Sequence, residues 1–512
     1  MSIVSSAVGG ERLSRILGYA IEPEDFRLDS PNLPQRIAIL AEANSDNQDY
    51  ADNKPYQLIS QKNAGDRYGY GSPIHQIMRI LKPTSGEGVG GIPIFAYPQA
   101  QEALAVAEMQ EITVSNNATG NNRHFVRING RTSIDGESYG FDVVEDDTPT
   151  LIALKIKDAI ANVLAAPCKA GVPTAGVLPC TAKWKGVTGQ ELTIDIDTNG
   201  DAVGVLYAVA QDTAGAGLET IDDALAEFQQ DWNTLVINSY GATYFDELEA
   251  FNGKPDPTSP TGRYAGILFK PFMALWGSKE ATAATLAAIT NTDTRKVNLT
   301  NALAPAPNSE GFTWEAAANG CYLAANVFQN TPHLDVSGRS YPAMPVPVDG
   351  LIGDMSDYDQ RDFLVKNGAS TVTLEGGAYK FQDFVTTYHP VGENPAQFRY
   401  PRVINIHFNF KYGYRLLELQ NVIDHTILEN DQPSDVGTTI KPKQWKGILF
   451  DYFDDLAKRA LISDPDFSKD NTQVGTDGTN PDRLNTTTKY KSTPIVRIAS
   501  STISVGFAFG IE

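Results

Sequence analysis

Three stretches of the chain hold residue types at spacings that could do chemistry. Gly86-Glu-Gly88-Val-Gly-Gly91 has the glycine spacing of a dinucleotide-binding turn. Such a turn holds a pyrophosphate because it leaves a strand and opens a helix, whose free N–H groups face the phosphates. Here a helical pattern precedes and a strand pattern follows, so the stretch reads as a connector. Asp195-Ile-Asp197-Thr-Asn199-Gly200 begins like a calcium loop. The twelfth position of that loop should be a bidentate Glu, and it is Leu206. An Asn-Gly turn accounts for the pattern. Asp464, Asp466 and Asp470 lack the glycine a calcium turn needs and read as a solvated acidic loop. No phosphate loop of the Gly-x4-Gly-Lys-Ser/Thr type and no His-Glu-x-x-His occurs. The six histidines, at 75, 124, 333, 389, 407 and 425, have no ligand-like spacing. Cys321 lies among Ala, Asn and Tyr in a helical pattern and reads as a core thiol. No catalytic, cofactor-binding or metal-ligating residue is expected, and no cofactor.

Composition sets the remaining bounds. The chain has 512 residues, which suggests two to four domains. Forty-one Lys and Arg stand against 62 Asp and Glu, a net charge of −21. A nucleic-acid binder would show a basic footprint; this balance favours solubility or a basic partner. Three cysteines are too few for a disulfide framework and point to a reducing compartment during folding. Whether Cys168 and Cys180 pair is left open. The N-terminus shows no basic and then apolar leader, and no run of eighteen apolar residues suggests a membrane span.

The elements expected to position these residues are mostly α/β. Arg36–Ala41 reads as a strand. Ser72–Leu81 reads as a helix with Ser72 as cap and Pro73 in its first turn, and Ile92–Tyr97 as a second strand. From about 110 to 217 the chain turns β-rich. Glu191–Ala210 reads as a hairpin about Asn199-Gly200, and Thr150–Leu164 as a helix. Then α/β alternation resumes: a helix through Leu218, Ile221, Leu225, Phe228 and Trp232 with a Thr220/Asp223 capping box, strands at Leu235–Ile237, Ala265–Phe269 and Lys296–Leu299, and helices around Leu248 and at Ala281–Ile289. That order implies a largely parallel wound sheet. Thr313–Asn330 and Asp359–Asn367 read as helices, and Val372–Leu374 with Tyr379–Tyr388 as a hairpin. Pro401–Glu429 is ambiguous, alternating like a strand at first and helical from Leu416. Gln444–Ile462 is an amphipathic helix striped by Trp445, Leu449, Phe453, Leu456 and Ala460. Asp454 with Lys458, and Asp455 with Arg459, are spaced for ion pairs on its wet side. Residues 463–492 read as a polar loop.

The last stretch, Pro494–Gly510, alternates Ile503, Val505, Phe507 and Phe509 with Ser504, Gly506 and Ala508. It makes one large apolar face and one small one. Two readings stand: the final strand of its own sheet, or a strand that joins a neighbouring subunit's sheet by main-chain pairing. Ile495 belongs to the same segment. Residues 2–20, with Ile3, Val4 and Val8, are an extended arm or a poorly ordered terminus.

Arg12-Leu-Ser-Arg-Ile-Leu-Gly-Tyr-Ala-Ile-Glu, then Pro31-Asn-Leu-Pro-Gln-Arg-Ile-Ala-Ile-Leu-Ala-Glu-Ala-Asn, resembles the start of bacteriophage contractile tail sheath proteins. Tyr68-Gly-Tyr-Gly-Ser-Pro-Ile-His-Gln-Ile-Met resembles the same family. So does the ending, with its helix to Ile462, Asn480-Pro-Asp-Arg-Leu484 and the terminal strand. Residues 110–217 match nothing. The resemblance implies a structural, non-enzymatic subunit. It would stack as six-fold rings around an inner tail tube and contract to drive the tube through the host envelope. Expected partners are further copies of itself, the tube protein, and baseplate and terminator proteins, with no nucleic acid and no membrane insertion. Its place would be the virion tail, after assembly in host cytoplasm. The arms would add strands to neighbouring sheets, through Ile3, Val4 and Val8 at one end and Ile495, Ile503, Val505, Phe507 and Phe509 at the other. Lys441, Lys443 and Lys446 would face the tube. The expected architecture is α/β and multi-domain, a wound core with a β-rich insertion and extended terminal arms: 1–20 an arm, 21–109 with 386–512 an inner domain (its strand arm 493–512), 110–215 an outward-projecting insertion, and 216–385 an outer domain. A genome-free contractile particle is an alternative carrier, and a soluble α/β ligand-binding enzyme is the rival of a different class.

Overall fold

The computed structural model describes residues 31–505, apart from 87, 219, 257, 267–268 and 393–397. At its centre is the strand Ile37–Glu42, whose six residues are all buried. A run buried on both faces needs a strand on each side and helices above and below. It finds all of them. Ile37 pairs in parallel with Ile94 on one side and with Leu235 on the other. Parallel pairing continues outward through Met273–Ser278 to Asn301–Pro305, and Tyr56–Leu58 closes the opposite edge antiparallel to Ile94–Gln99.

Alternation sorts the side chains between the two faces. Ala38, Leu40, Val236 and Ala274 pack with Ile221, Leu225, Phe228 and Leu248. Ile37, Ile39, Leu235, Ile237 and Leu275 face a larger core that includes Ile74, Ile77, Met78, Trp314 and Cys321. The helix Pro73–Leu81 forms as expected, with Ser72 Oγ accepting from His75 N. Thr313–Asn330 also forms over the expected residues. Its run of Ala and Gly lets it lie close against the sheet. A Cβ on Gly277 would sit 1.8 Å from Thr313 O.

This sheet spans the expected inner and outer domains: residues 37–99 and 235–305 contribute three strands each to one hydrogen-bonded sheet. Two strands also shift. Met273–Ser278 stands in place of Ala265–Phe269, and Asn301–Pro305 follows a short 3-10 turn where Lys296–Leu299 was expected. Both observed strands are buried along their whole length; sandwiching between helices, more than β-branching, defines them. The helix expected from Leu218 to Trp232 spans only Asp222–Ala226. Ile221 occupies its cap with no side-chain bond, so the Thr220/Asp223 box does not form. Trp232 instead donates Nε1 to Pro271 O at 2.7 Å.

Among the described residues the strands between 109 and 213 pair only with one another, in a four-stranded sheet, a three-stranded sheet and a small hairpin. The expected Glu191–Ala210 hairpin does not form. Asn199 and Gly200 do turn with positive φ, but Ile194–Asp197 pairs with Asn122–Ile128 while Leu206–Thr213 pairs with Met109–Ser115. The two strands leave the turn into different sheets. Cys168 and Cys180 are both buried and free; Cys168 is in register with Ala182, two residues from Cys180.

An aromatic cluster seats this segment on the core. Trp184 is buried, with ring centroids 5.9 Å from Phe312 and 5.8 Å from Trp314. Trp314 donates Nε1 to Gln76 Oε1 at 2.8 Å. Arg131 meets the buried Glu315 at 3.0 Å. Glu42, at the end of the central strand, accepts from Thr188 Oγ1 at 2.5 Å and from Ser239 Oγ at 3.0 Å.

Pro401–Asn421 is one helix of 21 residues. Its strand-like alternation arises because two faces are buried. Ile404 and Phe408 enter the main core, whereas Ile406, Phe410 and Tyr414 enter a second core with Trp445, Leu449, Tyr452 and Phe453. Two interleaved i, i+4 stripes read as period two. The helix Pro442–Lys458 covers the second core. Ala460, expected in its stripe, lies beyond it with φ 56°. Asp455 pairs with Arg459 at 3.3 Å, while Asp454 turns to Lys469 at 2.7 Å instead of Lys458. No helix among the described residues is long and apolar enough to cross a membrane.

Candidate assembly surface at the C-terminal extension

Residues 463–492, read as a polar loop, form a small folded cap. Ile462–Ser463 pairs with Lys491–Ser492, and Gln473–Thr476 with Leu484–Thr487. The short helix Pro465–Asp470 is capped by Asp464, whose Oδ1 accepts from Phe467 N. Val474, Leu484 and Tyr490 pack on the second core, and Trp445 Nε1 donates to Thr486 Oγ1 at 3.1 Å. The polar residues face out; the few apolar ones, spaced too irregularly for a pattern, hold the cap down. Tyr490 stacks on Phe410 at 4.1 Å, and its hydroxyl bonds to Nδ1 of His407. Burial pushes that imidazole down to about 4.

From this cap the chain is fastened in steps. Thr493 N donates to Leu461 O at 3.2 Å, and Arg402 Nη1 donates to Thr493 O at 2.7 Å. Arg497 then forms an ion pair with the buried Asp335, lies 3.6 Å from Asp383, and sits 3.6 Å over the Tyr400 ring. Burial raises the Asp383 carboxyl, and the Arg497 charge opposes that rise.

Among the described residues no hydrogen bond or ion pair fastens the chain beyond Arg497. No strand or helix is assigned from Thr493 to Val505. Ile495 is half-buried, whereas Ile498, Ile503 and Val505 are 85%, 83% and 88% exposed. Among the described residues, Ile498, Ile503 and Val505 pair with no strand of their own chain. Phe507 and Phe509 lie outside the described residues, as do Ile3, Val4 and Val8 of the N-terminal arm. Beside the cap, the helix Pro401–Asn421 and the strand Leu484–Thr487 flank a groove of about 430 Å³, lined by Phe410, Lys411, Tyr414, Glu418 and Thr486. Among the described residues that strand is paired on one side only, with Gln473–Thr476.

The three lysines fall at the start of the helix Pro442–Lys458. Lys441 is its cap, with its N–H donating to Gln444 Oε1 at 3.0 Å, and Lys443 is exposed. The Lys446 ammonium lies 5.4 Å from the Phe450 ring centroid. No acidic side chain stands in this first turn. Cations there oppose the helix dipole, at about 0.3–1 kcal/mol each.

Among the described residues no three His, Cys, Asp or Glu converge as metal ligands. Asp195 pairs with Arg127, and Asp197 Oδ1 accepts from Asn199 N as an ordinary turn. Within Gly86–Gly91, Val89 N closes back onto Leu81 O at 3.0 Å, at a helix end and not a helix start. Gly136-Glu-Ser138-Tyr-Gly140 has the glycine–serine spacing of a nucleophile elbow. The structure puts it in a short hairpin, Ser133–Ile134 with Glu137–Ser138, and Ser138 Oγ accepts from Gly140 N. That elbow requires a strand running into a helix.

No family model matches the chain, and no curated protein matches it. Solved structures do. The chain is similar to the sheath tail protein from Desulfitobacterium hafniense, with a TM-score of 0.44 and 11% identity, covering 93% of this chain and 100% of that one. It is similar to the sheath tail protein from Listeria innocua, with a TM-score of 0.43 and 9% identity over 91% and 93%. It is also similar to the helical sheath of the anti-feeding prophage in its contracted state, with a TM-score of 0.40 and 8% identity over 97% and 99%.

Proposed function

We propose that this chain is the structural subunit of a contractile phage tail sheath. It polymerises as six-fold rings around an inner tail tube and contracts to drive the tube through the host envelope. The observation that carries this reading is the extension after Arg497, an apolar strand pattern held at its base and offered to solvent. The resemblance of both chain ends to sheath proteins supports the same reading.

In a polymer the extension of one copy adds to an unpaired edge of the next. The one-sided strand Leu484–Thr487, with its flanking groove, is a suitable acceptor. Each main-chain hydrogen bond gained contributes on the order of 1 kcal/mol, and each Ile or Val fully buried about 1.5–3 kcal/mol. One donated strand thus contributes several kcal/mol per copy, repeated along the polymer. The work of contraction would come from a strained packing of copies, as rigid-body motion between two lattice states. Lys441, Lys443 and Lys446 would face an acidic tube surface. The baseplate and the tail terminator would hold the two ends, and assembly would take place in host cytoplasm.

The test is a chain ending at Arg497, which keeps every anchor described above. Electron microscopy and sedimentation should show folded single subunits and no cylinders. Cylinders that assemble and shorten like those of the full chain would reject the proposal.

A further inference from the structure

The inserted β-rich segment offers an edge of its own. Leu206–Thr213 is an eight-residue strand at the end of the four-stranded sheet, paired on one side with Met109–Ser115. Among the described residues no other backbone segment bonds to its outer edge. Facing it across the Asn199-Gly200 turn, Ile194–Asp197 ends the three-stranded sheet, likewise paired on one side. The two open edges diverge around a groove of about 450 Å³, lined by Ile194, Ile196, Thr198, Val205, Leu206 and Val209.

Exposed edges are normally guarded by lysine, proline or a bulge, because an unguarded edge templates further pairing. Leu206-Tyr-Ala-Val-Ala210 has no charge and no proline, and the bulge lies only at its far end, between Gln211 and Thr213. Tyr207 and Val209 turn toward the core. Leu206, Ala208 and Ala210 face solvent, with Leu206 at 62% exposure.

The charges around the groove select the occupant. Asp195, Asp197, Asp201 and Asp212 are all exposed. Asp195 has Arg127, while Asp197, Asp201 and Asp212 have no ion pair among the described residues. A second copy of this edge would bring the same carboxylates and be repelled. An extended strand with an uncharged centre and basic flanks meets both the open hydrogen-bonding groups and the acidic rim. We propose that this edge of the insertion is a docking site for such a basic extended peptide, borne by a protein other than this chain.

The test uses the full chain and two synthetic peptides, Lys-Lys-Thr-Val-Thr-Val-Thr-Lys-Lys and its counterpart with Glu in place of each Lys. The lysine peptide should bind roughly tenfold or more tighter, weaken with added salt, and slow amide exchange across Leu206–Gln211. Asp197→Asn with Asp212→Asn should remove much of that preference while keeping an acceptor for Asn199 N and for the Thr213 hydroxyl, so the melting temperature should hold. Equal binding of the two peptides, or protection elsewhere on the chain, would overturn the proposal. Protection of 206–211 that rises with protein concentration and needs no peptide would also overturn it, by identifying a second copy as the occupant.

Discussion

The guanidinium of Arg497 lies 3.6 Å over the ring of Tyr400 while pairing with Asp335. Among the described residues, this contact is the last ion pair fastening the C-terminal segment to the rest of the chain. Arg497→Ala leaves a buried carboxylate without its cation and removes the stacking. Stability should fall by about 3–5 kcal/mol in urea unfolding, and amide exchange should quicken from Thr493 onward. Arg497→Lys should recover only part, because an ammonium restores the charge but not the planar stack. Unchanged exchange at Thr493 in the Ala variant would show that the fastening lies elsewhere.

Trp184 holds the insertion to the core through Phe312 and Trp314, which stack with centroids 4.4 Å apart. Trp184→Ala opens a cavity at that junction and should cost about 3–5 kcal/mol. Limited proteolysis should then cut first at the borders of the insertion. Loss of stability without new cleavage there would mean that insertion and core still unfold together.

Glu42 gives stability a pH dependence. Burial raises its carboxyl from the usual 4.5 to about 7, against the lowering effect of the Thr188 and Ser239 hydroxyls. The folded state thus holds the proton after the unfolded chain has lost it. The contribution is fully present below about 4.5 and is lost as pH rises through about 7, amounting to about 3 kcal/mol. Glu42→Gln cannot ionise. Its unfolding free energy should gain on the wild type progressively between pH 5 and pH 8, and parallel curves would refute the assignment.

Changing Lys441, Lys443 and Lys446 together to Glu puts anions where the helix dipole favours them. The helix Pro442–Lys458 should hold or gain stability, by up to about 1 kcal/mol per site. Co-assembly with the tube protein should fail at low salt. Normal sheathing at low and moderate salt would remove these lysines from the tube surface.

Much of the helical framework is legible in order along the chain. Ser72 and Pro73 start a helix because a hydroxyl cap and a preset φ act within one turn. Thr313–Asn330 and Pro442–Lys458 keep a periodicity long enough to be seen. The wound sheet follows from the alternation of elements. Other assignments depend on neighbours far away in sequence. Pro401–Asn421 looked half strand because two cores claim alternate residues of one helix, and only its packing separates the stripes. The turn at Asn199-Gly200 is local and correctly placed, but the partners of its flanking strands are set by residues some 70 to 100 positions earlier. The joining of 37–99 with 235–305 in one sheet is likewise a matter of which buried runs lie side by side. Arg497, Asp335 and Tyr400 are ordinary residues until folding brings them together. Turn chemistry and periodicity act over a few residues, so the amino-acid order states them outright. Pairing, burial and charge partnership act across space, so they exist only once the chain has closed on itself.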